Sequence, residues 1–104
     1  MTFIDVYITC PDRSVAETIA RACISERLAA CANIGGRITS LYTWKGDLET
    51  AEEIPLHLKT RATLFDKLSA RVKAFHPYET PCIIATELVA VEADYAAWLE
   101  AETS

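Results

Sequence analysis

The chain has 104 residues, 51% of them apolar and 24% charged, with a net charge of −5. That is one domain's worth of sequence with apolar material for a real core. The acidic balance argues against nucleic acid, whose phosphates need a basic footprint, and no run approaches the about 20 apolar residues that cross a bilayer. The first residues, Met1 to Tyr7, carry Asp5 and no basic region, so they do not read as a signal peptide. Without such a signal the four cysteines, Cys10, Cys23, Cys31 and Cys82, are expected to be reduced in a cytoplasmic protein. Their irregular spacing contains no Cys-x-x-Cys pair and no zinc pattern.

Phe3 to Thr9 alternates Ile4, Val6 and Ile8 with more polar neighbours, which predicts a strand. After Cys10-Pro11-Asp12, Ser14 with Glu17 reads as a capping box. The stripe Ala16, Ile19, Ala20, Cys23 and Ile24 then predicts a helix to about Leu28. A second strand is expected from near Ala30, interrupted at Gly35-Gly36 and resumed from Arg37 to Trp44. Lys45-Gly46-Asp47 reads as a hairpin turn into a third strand, about Leu48 to Thr60, with Ile54, Leu56 and Leu58 on its core side. Pro55 lacks an N–H, so that strand should be an edge, or bulged there.

Phe65, Leu68, Val72 and Phe75 recur at helical spacing, with Thr63 as the expected N-cap and Pro77 as the stop. Cys82 to Val89 reads as a largely buried strand. Asp94 is the expected cap of a short last helix carrying Tyr95, Trp98 and Leu99 inward. The order strand, helix, strand, strand, helix, strand, helix is α+β. It is the ferredoxin-like split βαβ sandwich with a long central β-hairpin and a short C-terminal helix, as a single domain over residues 1–104. Both main helices should cover one face of the sheet. The other face, with Leu41, Tyr42 and Trp44, predicts self-association.

The segment His76-Pro-Tyr-Glu-Thr-Pro-Cys82 packs imidazole, phenol, carboxylate and thiol between two stiffening prolines. Candidate metal ligands are Cys31, His76, Glu79 and Cys82. Trp44, Lys59 and Tyr78 are the candidates for a ligand-binding or inter-subunit cleft. Cys31 lies in the small-residue run Ala-Ala-Cys-Ala, which equally suits tight packing, and His76 reads equally as a helix C-cap. Lys59, on the face opposite the core, should find a carboxylate, with Glu53 or Glu79 as candidates. An enzyme with Cys31 as nucleophile and His76 as base lacks an orienting third group. There is also no phosphate loop or oxyanion motif, so the chain reads as a binding protein and not an enzyme. A copper chaperone would need paired cysteines in the first loop, which offers only Cys10 before Pro11.

Six segments in order resemble the divalent-cation tolerance proteins called CutA. They are Thr9-Cys-Pro-Asp12, Arg27 to Ile34 (Arg-Leu-Ala-Ala-Cys-Ala-Asn-Ile), Ser40 to Gly46 (Ser-Leu-Tyr-Thr-Trp-Lys-Gly), Leu58-Lys-Thr-Arg61, His76 to Pro81 and Tyr95-Ala-Ala-Trp-Leu99. The resemblance implies a ferredoxin-like subunit in a cytoplasmic homotrimer, similar in architecture to PII-like signalling proteins, with clefts between subunits. It also implies a link to copper or another divalent cation. An alternative it leaves open is a trimeric signalling or scaffold module whose clefts take a small anion or a partner segment. Two features depart from the family pattern. Cys82 stands where a glutamate is usual, which would favour softer ions, and Pro55 and His57 interrupt a usually more regular aliphatic strand.

Overall fold

Alternation in the first segment makes β1, Phe3–Cys10, whose Ile4, Val6, Ile8 and Cys10 all face the core. The computed structural model describes residues 1–104. Helix α1 spans Arg13–Ser25 and buries Ala16, Ile19, Ala20 and Cys23 of the predicted stripe, while Ile24, in its last turn, is exposed. Its N-cap is Asp12, not Ser14: the Asp12 carboxylate accepts the Val15 N–H at 2.9 Å, and Ser14 sits inside the first turn. Glu17 instead pairs with Arg13 at 3.5 Å, one helical turn back.

The helix stops at Ser25, short of Leu28. Arg27 turns left-handed at φ 61°, and the Leu28 N–H reaches the Cys23 carbonyl at 2.9 Å while the Arg27 N–H reaches that of Ile24 at 3.0 Å. This is a Schellman ending with arginine where glycine is usual. The Arg27 side chain has a use that glycine lacks. It donates to the carbonyl oxygens of Ala101 and Ser104, tying the C-terminus to this corner.

Strands β2 (Cys31–Ile34) and β3 (Ile38–Trp44) both pair with β4 (Asp47–Arg61). Ile34 lies opposite Leu56 and Ile38 opposite Glu53, so three residues, 35–37, face two on β4. The bulge is therefore carried by the Gly35-Gly36 side. It also accommodates Pro55 on what is a central strand, not an edge, because β4 runs between β1 and β2. The Gly35 N–H donates to the Pro55 carbonyl at 2.9 Å. A residue's N–H and C=O point to the same side of an antiparallel ladder, so the missing proline donor faces the interruption and no ladder bond is lost. Lys45 and Gly46, with φ of 52° and 88°, close the β3–β4 hairpin as a two-residue turn of the type that matches strand twist.

Helix α2, Phe65–Phe75, buries Leu68 and Val72. Thr63 is not its cap. It lies in a short 3-10 turn, Ala62–Leu64, that leads into the helix with no side-chain cap. Pro77 does end the helix, with His76 in an extended conformation. Strand β5, Ile83–Glu87, pairs only with β1 and is mostly exposed, with Ile84 at 57%. The expectation of a buried strand fails because β5 is an outer strand in a single chain.

Helix α3, Ala93–Glu102, is capped by Glu92, which accepts the Asp94 N–H, and not by Asp94. It buries Leu99 against Phe3 and Ala30, while Tyr95 and Trp98 stay exposed. Arg61 donates to Thr103 Oγ1 at 3.0 Å and to the Glu100 carbonyl at 2.7 Å, and so holds the helix end.

With β2 and β3 read as one interrupted strand, the sheet order β2-β4-β1-β5 is the split βαβ, ferredoxin-like arrangement. Helices α1 and α2 cover the face carrying Val6, Ile8, Leu56 and Leu58. The opposite face carries Tyr7, Asn33, Glu53, His57 and Lys59, and α3 covers only its Phe3 end. The distal half of β4 pairs with β3 alone and forms an arm on a molecule 45 × 25 × 24 Å in extent.

A β-carbon on Gly35 would lie 2.8 Å from Pro55 Cγ, whereas one on Gly36 would meet nothing within 4 Å. Gly35→Ala is therefore expected to lower stability by about 1–3 kcal/mol. Gly36→Ala should change it by no more than about 0.5 kcal/mol. Urea denaturation of the two variants checks this, and equal losses would contradict the bulge packing.

Candidate functional site

A cleft of about 760 Å³ opens where the arm leaves the body of the sheet. One wall comes from β3 and β4, with Tyr42, Trp44 and Glu53. The floor is β1, with Tyr7, and the facing wall is the loop carrying Tyr78, Glu79 and Cys82. The cleft exists because β4 outruns β1. Cys10 pairs with Ile54 at the end of β1, and from Glu53 outward the arm has only β3 beside it.

The loop is braced by His76, which is buried behind the cleft. Its Nδ1 accepts the Tyr78 N–H at 3.2 Å, so the other nitrogen carries the proton, and Nε2–H donates to the Thr9 carbonyl at 2.8 Å. Its ring also packs on that of Tyr78, with centroids 4.7 Å apart. Both ring nitrogens are thus engaged within the chain. Pro77 and Pro81 limit the backbone on either side of this brace.

The brace aims Tyr78 at Glu53. The phenol donates to Glu53 Oε2 at 3.1 Å, and Glu53 is only 4% exposed. Burial first, and then the charge and hydrogen bond of Glu53, push the Tyr78 phenol up to about 12. The same causes reach its neighbours. Tyr7 is raised by burial, then by Cys82 and Glu53, and Cys82 is raised by burial, then by Glu53. At neutral pH the Cys82 thiol therefore holds its proton.

Of the residues singled out from sequence, Trp44, Tyr78, Glu79 and Cys82 come together in this cleft. Cys31 and Lys59 do not join them. They lie directly opposite one another on β2 and β4, six residues along β4 from Glu53, or about 20 Å at strand rise. There Lys59 donates to Asn33 Oδ1, so the carboxylate partner expected for it, Glu53 or Glu79, is not what it finds. Asp5, its cross-strand neighbour, pairs with His57 Nδ1 at 3.0 Å. Cys31 adjoins Tyr95 of α3, whose phenol is raised by burial and then by the thiol.

Glu53, Tyr7 and Tyr42 were not singled out as site residues. Strand parity alone puts Glu53 on the polar face with His57 and Lys59, and nothing local marks it as buried. The signal would have been a glutamate at the base of an overlong hairpin, two residues from a proline. Glu53 and Glu79 are the only charged residues lining the cleft, and the remaining lining is aromatic, hydroxyl, thiol and apolar. Such a surface attracts a cation and repels an anion.

The chain matches the model of the family described as CutA1 divalent ion tolerance protein over residues 4–102. It is 45% identical over 98 residues to the divalent-cation tolerance protein CutA of Thermus thermophilus, covering 94% of this chain and 95% of that one. Mouse protein CutA is 39% identical over 97 residues, 93% of this chain, but this chain spans only 55% of its length. Among solved structures, the periplasmic divalent cation tolerance protein CutA of Archaeoglobus fulgidus superposes with a TM-score of 0.95 at 35% identity, covering 98% of this chain and 99% of that one.

The phenol of Tyr78 is neutral in the fold up to about 12 instead of the usual 10. A raised folded-state pKa means that the associated stability is fully present below pH 10 and is lost as pH rises towards 12. Ultraviolet titration should show a tyrosine ionising at about 12 in the wild type, later than the other raised phenols, Tyr7 and Tyr95, and moved down in Glu53→Gln. Tyr78→Phe, which strips a donor from a buried carboxylate, should cost about 1–3 kcal/mol in chemical denaturation at pH 7.

Proposed function

The chain belongs to the CutA1 divalent ion tolerance family, and from that premise we propose that it is a cytosolic homotrimer that binds divalent cations, copper among them, at clefts between its copies. The observation that carries this reading is the charge of the cleft: two carboxylates and no lysine, arginine or histidine. It favours a cation over the small anion of a signalling or scaffold module.

Self-association is supported by apolar side chains that one copy leaves in water. Leu41, Tyr42 and Leu48 are exposed on the arm, Leu48 at 74%, and Ile84 and Val89 at the other edge. Strand β5 also keeps an unpaired outer edge, which a neighbouring copy can extend. The word periplasmic in the name of the Archaeoglobus protein makes the compartment a point to test by fractionation.

No three His, Cys, Asp or Glu side chains converge within one chain. A fully protein-ligated ion therefore does not fit a single copy, and the proposal requires donors from a neighbour. Glu53, Glu79 and Cys82 are this chain's contribution at the cleft, with Cys82 inclining the site to softer ions once its proton leaves. Cys31 could join them only from another copy. His76 could do so only by releasing Thr9 or Tyr78, so its role is to hold the loop in place. Nothing in this reading calls for catalysis.

Light scattering should give three times the 11.5 kDa chain mass. Calorimetric titration with copper should show binding that weakens at least about tenfold, or about 1.4 kcal/mol, in Glu53→Gln and in Cys82→Ser. His76→Ala should act first on stability, because it removes both braces of the loop. A monomer, or copper binding equal in the wild type and both cleft variants, would contradict the proposal.

A further inference from the structure

The cleft is wider and more aromatic than an inorganic ion requires. Metal–oxygen distances are about 2–2.6 Å, so a divalent ion needs one tight shell of donors. Here about 760 Å³ is walled by four rings, those of Tyr7, Tyr42, Trp44 and Tyr78, and by two carboxylates that do not form such a shell. Aromatic faces attract cations that come within about 6 Å of their centroids, more strongly where water is excluded. The Lys45 ammonium already sits 5.7 Å from the Trp44 ring.

The hydrogen bonding of Glu53 narrows the class of cation. Tyr78 donates to Oε2 only; Oε1 has no protein donor and, unlike the enclosed hydroxyls of Thr60 and Ser69, keeps a side open to the cleft. A carboxylate oxygen lining a cleft accepts most strongly from a charged N–H. A quaternary ammonium has none to give. We infer that the cleft binds an aliphatic primary ammonium, its N–H groups on Glu53 and its carbon chain along the aromatic wall. Glu79 lies exposed on the same cleft and supplies a second negative charge, so a diamine is held better than a monoamine. The inference rests on reading the cleft as a cation site and names a different occupant for it.

The test uses the full chain in its assembled state, at low ionic strength and pH 7. Calorimetric titrations with n-butylammonium, 1,4-diaminobutane and tetramethylammonium are compared, each with and without copper. Butylammonium should bind once per chain, diaminobutane more tightly, and tetramethylammonium at least tenfold more weakly. Glu53→Gln should lose at least tenfold for butylammonium. Trp44→Leu, on the exposed arm, should weaken it severalfold and provides a second reading if Glu53→Gln disturbs the fold. No butylammonium binding, equal binding of tetramethylammonium, or affinity unchanged in both variants would overturn the inference. Copper binding at the cleft without ammonium binding would sink this inference and leave the divalent-ion reading standing. Failure of both ligands would sink the two together.

Discussion

A carboxylate almost out of water, Glu53, is the constraint on which the architecture of the cleft depends. Removing an ionisable group from solvent is costly unless its hydrogen bonds are replaced. Here the replacement comes from Tyr78, on a loop distant in sequence. That donor is in place only because His76 bridges the loop to the end of β1 with both ring nitrogens, and because Pro77 and Pro81 limit the loop's other conformations. The long β4 brings Glu53 to the point where the body of the sheet ends and the arm begins. Loop, floor and arm thus meet at one polar contact, and the aromatic wall surrounds it.

Much of the fold was legible in the sequence because its strongest signals are periodic. The alternation in β1, the stripe of α1 and the spacing of α2 each report a buried face, and the structure buries most of those residues, leaving Ile24 and Phe75 at the helix ends exposed. Pro55 was legible as an anomaly, and the bulge at Gly35-Gly36 resolves it through backbone direction. The misses are local or depend on what lies beyond the segment. Asp12 caps α1 two residues ahead of Ser14, and a 3-10 turn displaces Thr63 from the start of α2. Apolar content suggested a buried β5 and inward-facing Tyr95 and Trp98, but composition cannot tell an internal strand or helix face from one left open at the edge of the chain.

The site was half legible for the same reason. A dense run such as His76 to Cys82 announces itself, and its Tyr78, Glu79 and Cys82 do line the cleft. Residues joined only by tertiary geometry do not. Glu53 reads as one more polar-face residue until Tyr78 is found against it. Cys31 and Lys59 looked like members of the same site until strand register put them at the far end of the sheet. The uncovered face is thus divided. One end holds an acidic aromatic cleft; the other holds the Asp5–His57 pair, the Lys59–Asn33 bond and the Cys31 thiol beside α3.

That division gives each end a distinct chemical character. The cleft end concentrates negative charge among rings, as recognition of a cation demands. At the other end each charged group already has a partner, which suits a surface built to hold structure. The most direct test of cation recognition at Glu53 is an anomalous difference map from crystals grown with copper at neutral pH. The account predicts a peak inside the cleft, beside the Glu53 carboxylate and close to Cys82. Copper found only beside Cys31 and Lys59, with the cleft empty, would contradict it.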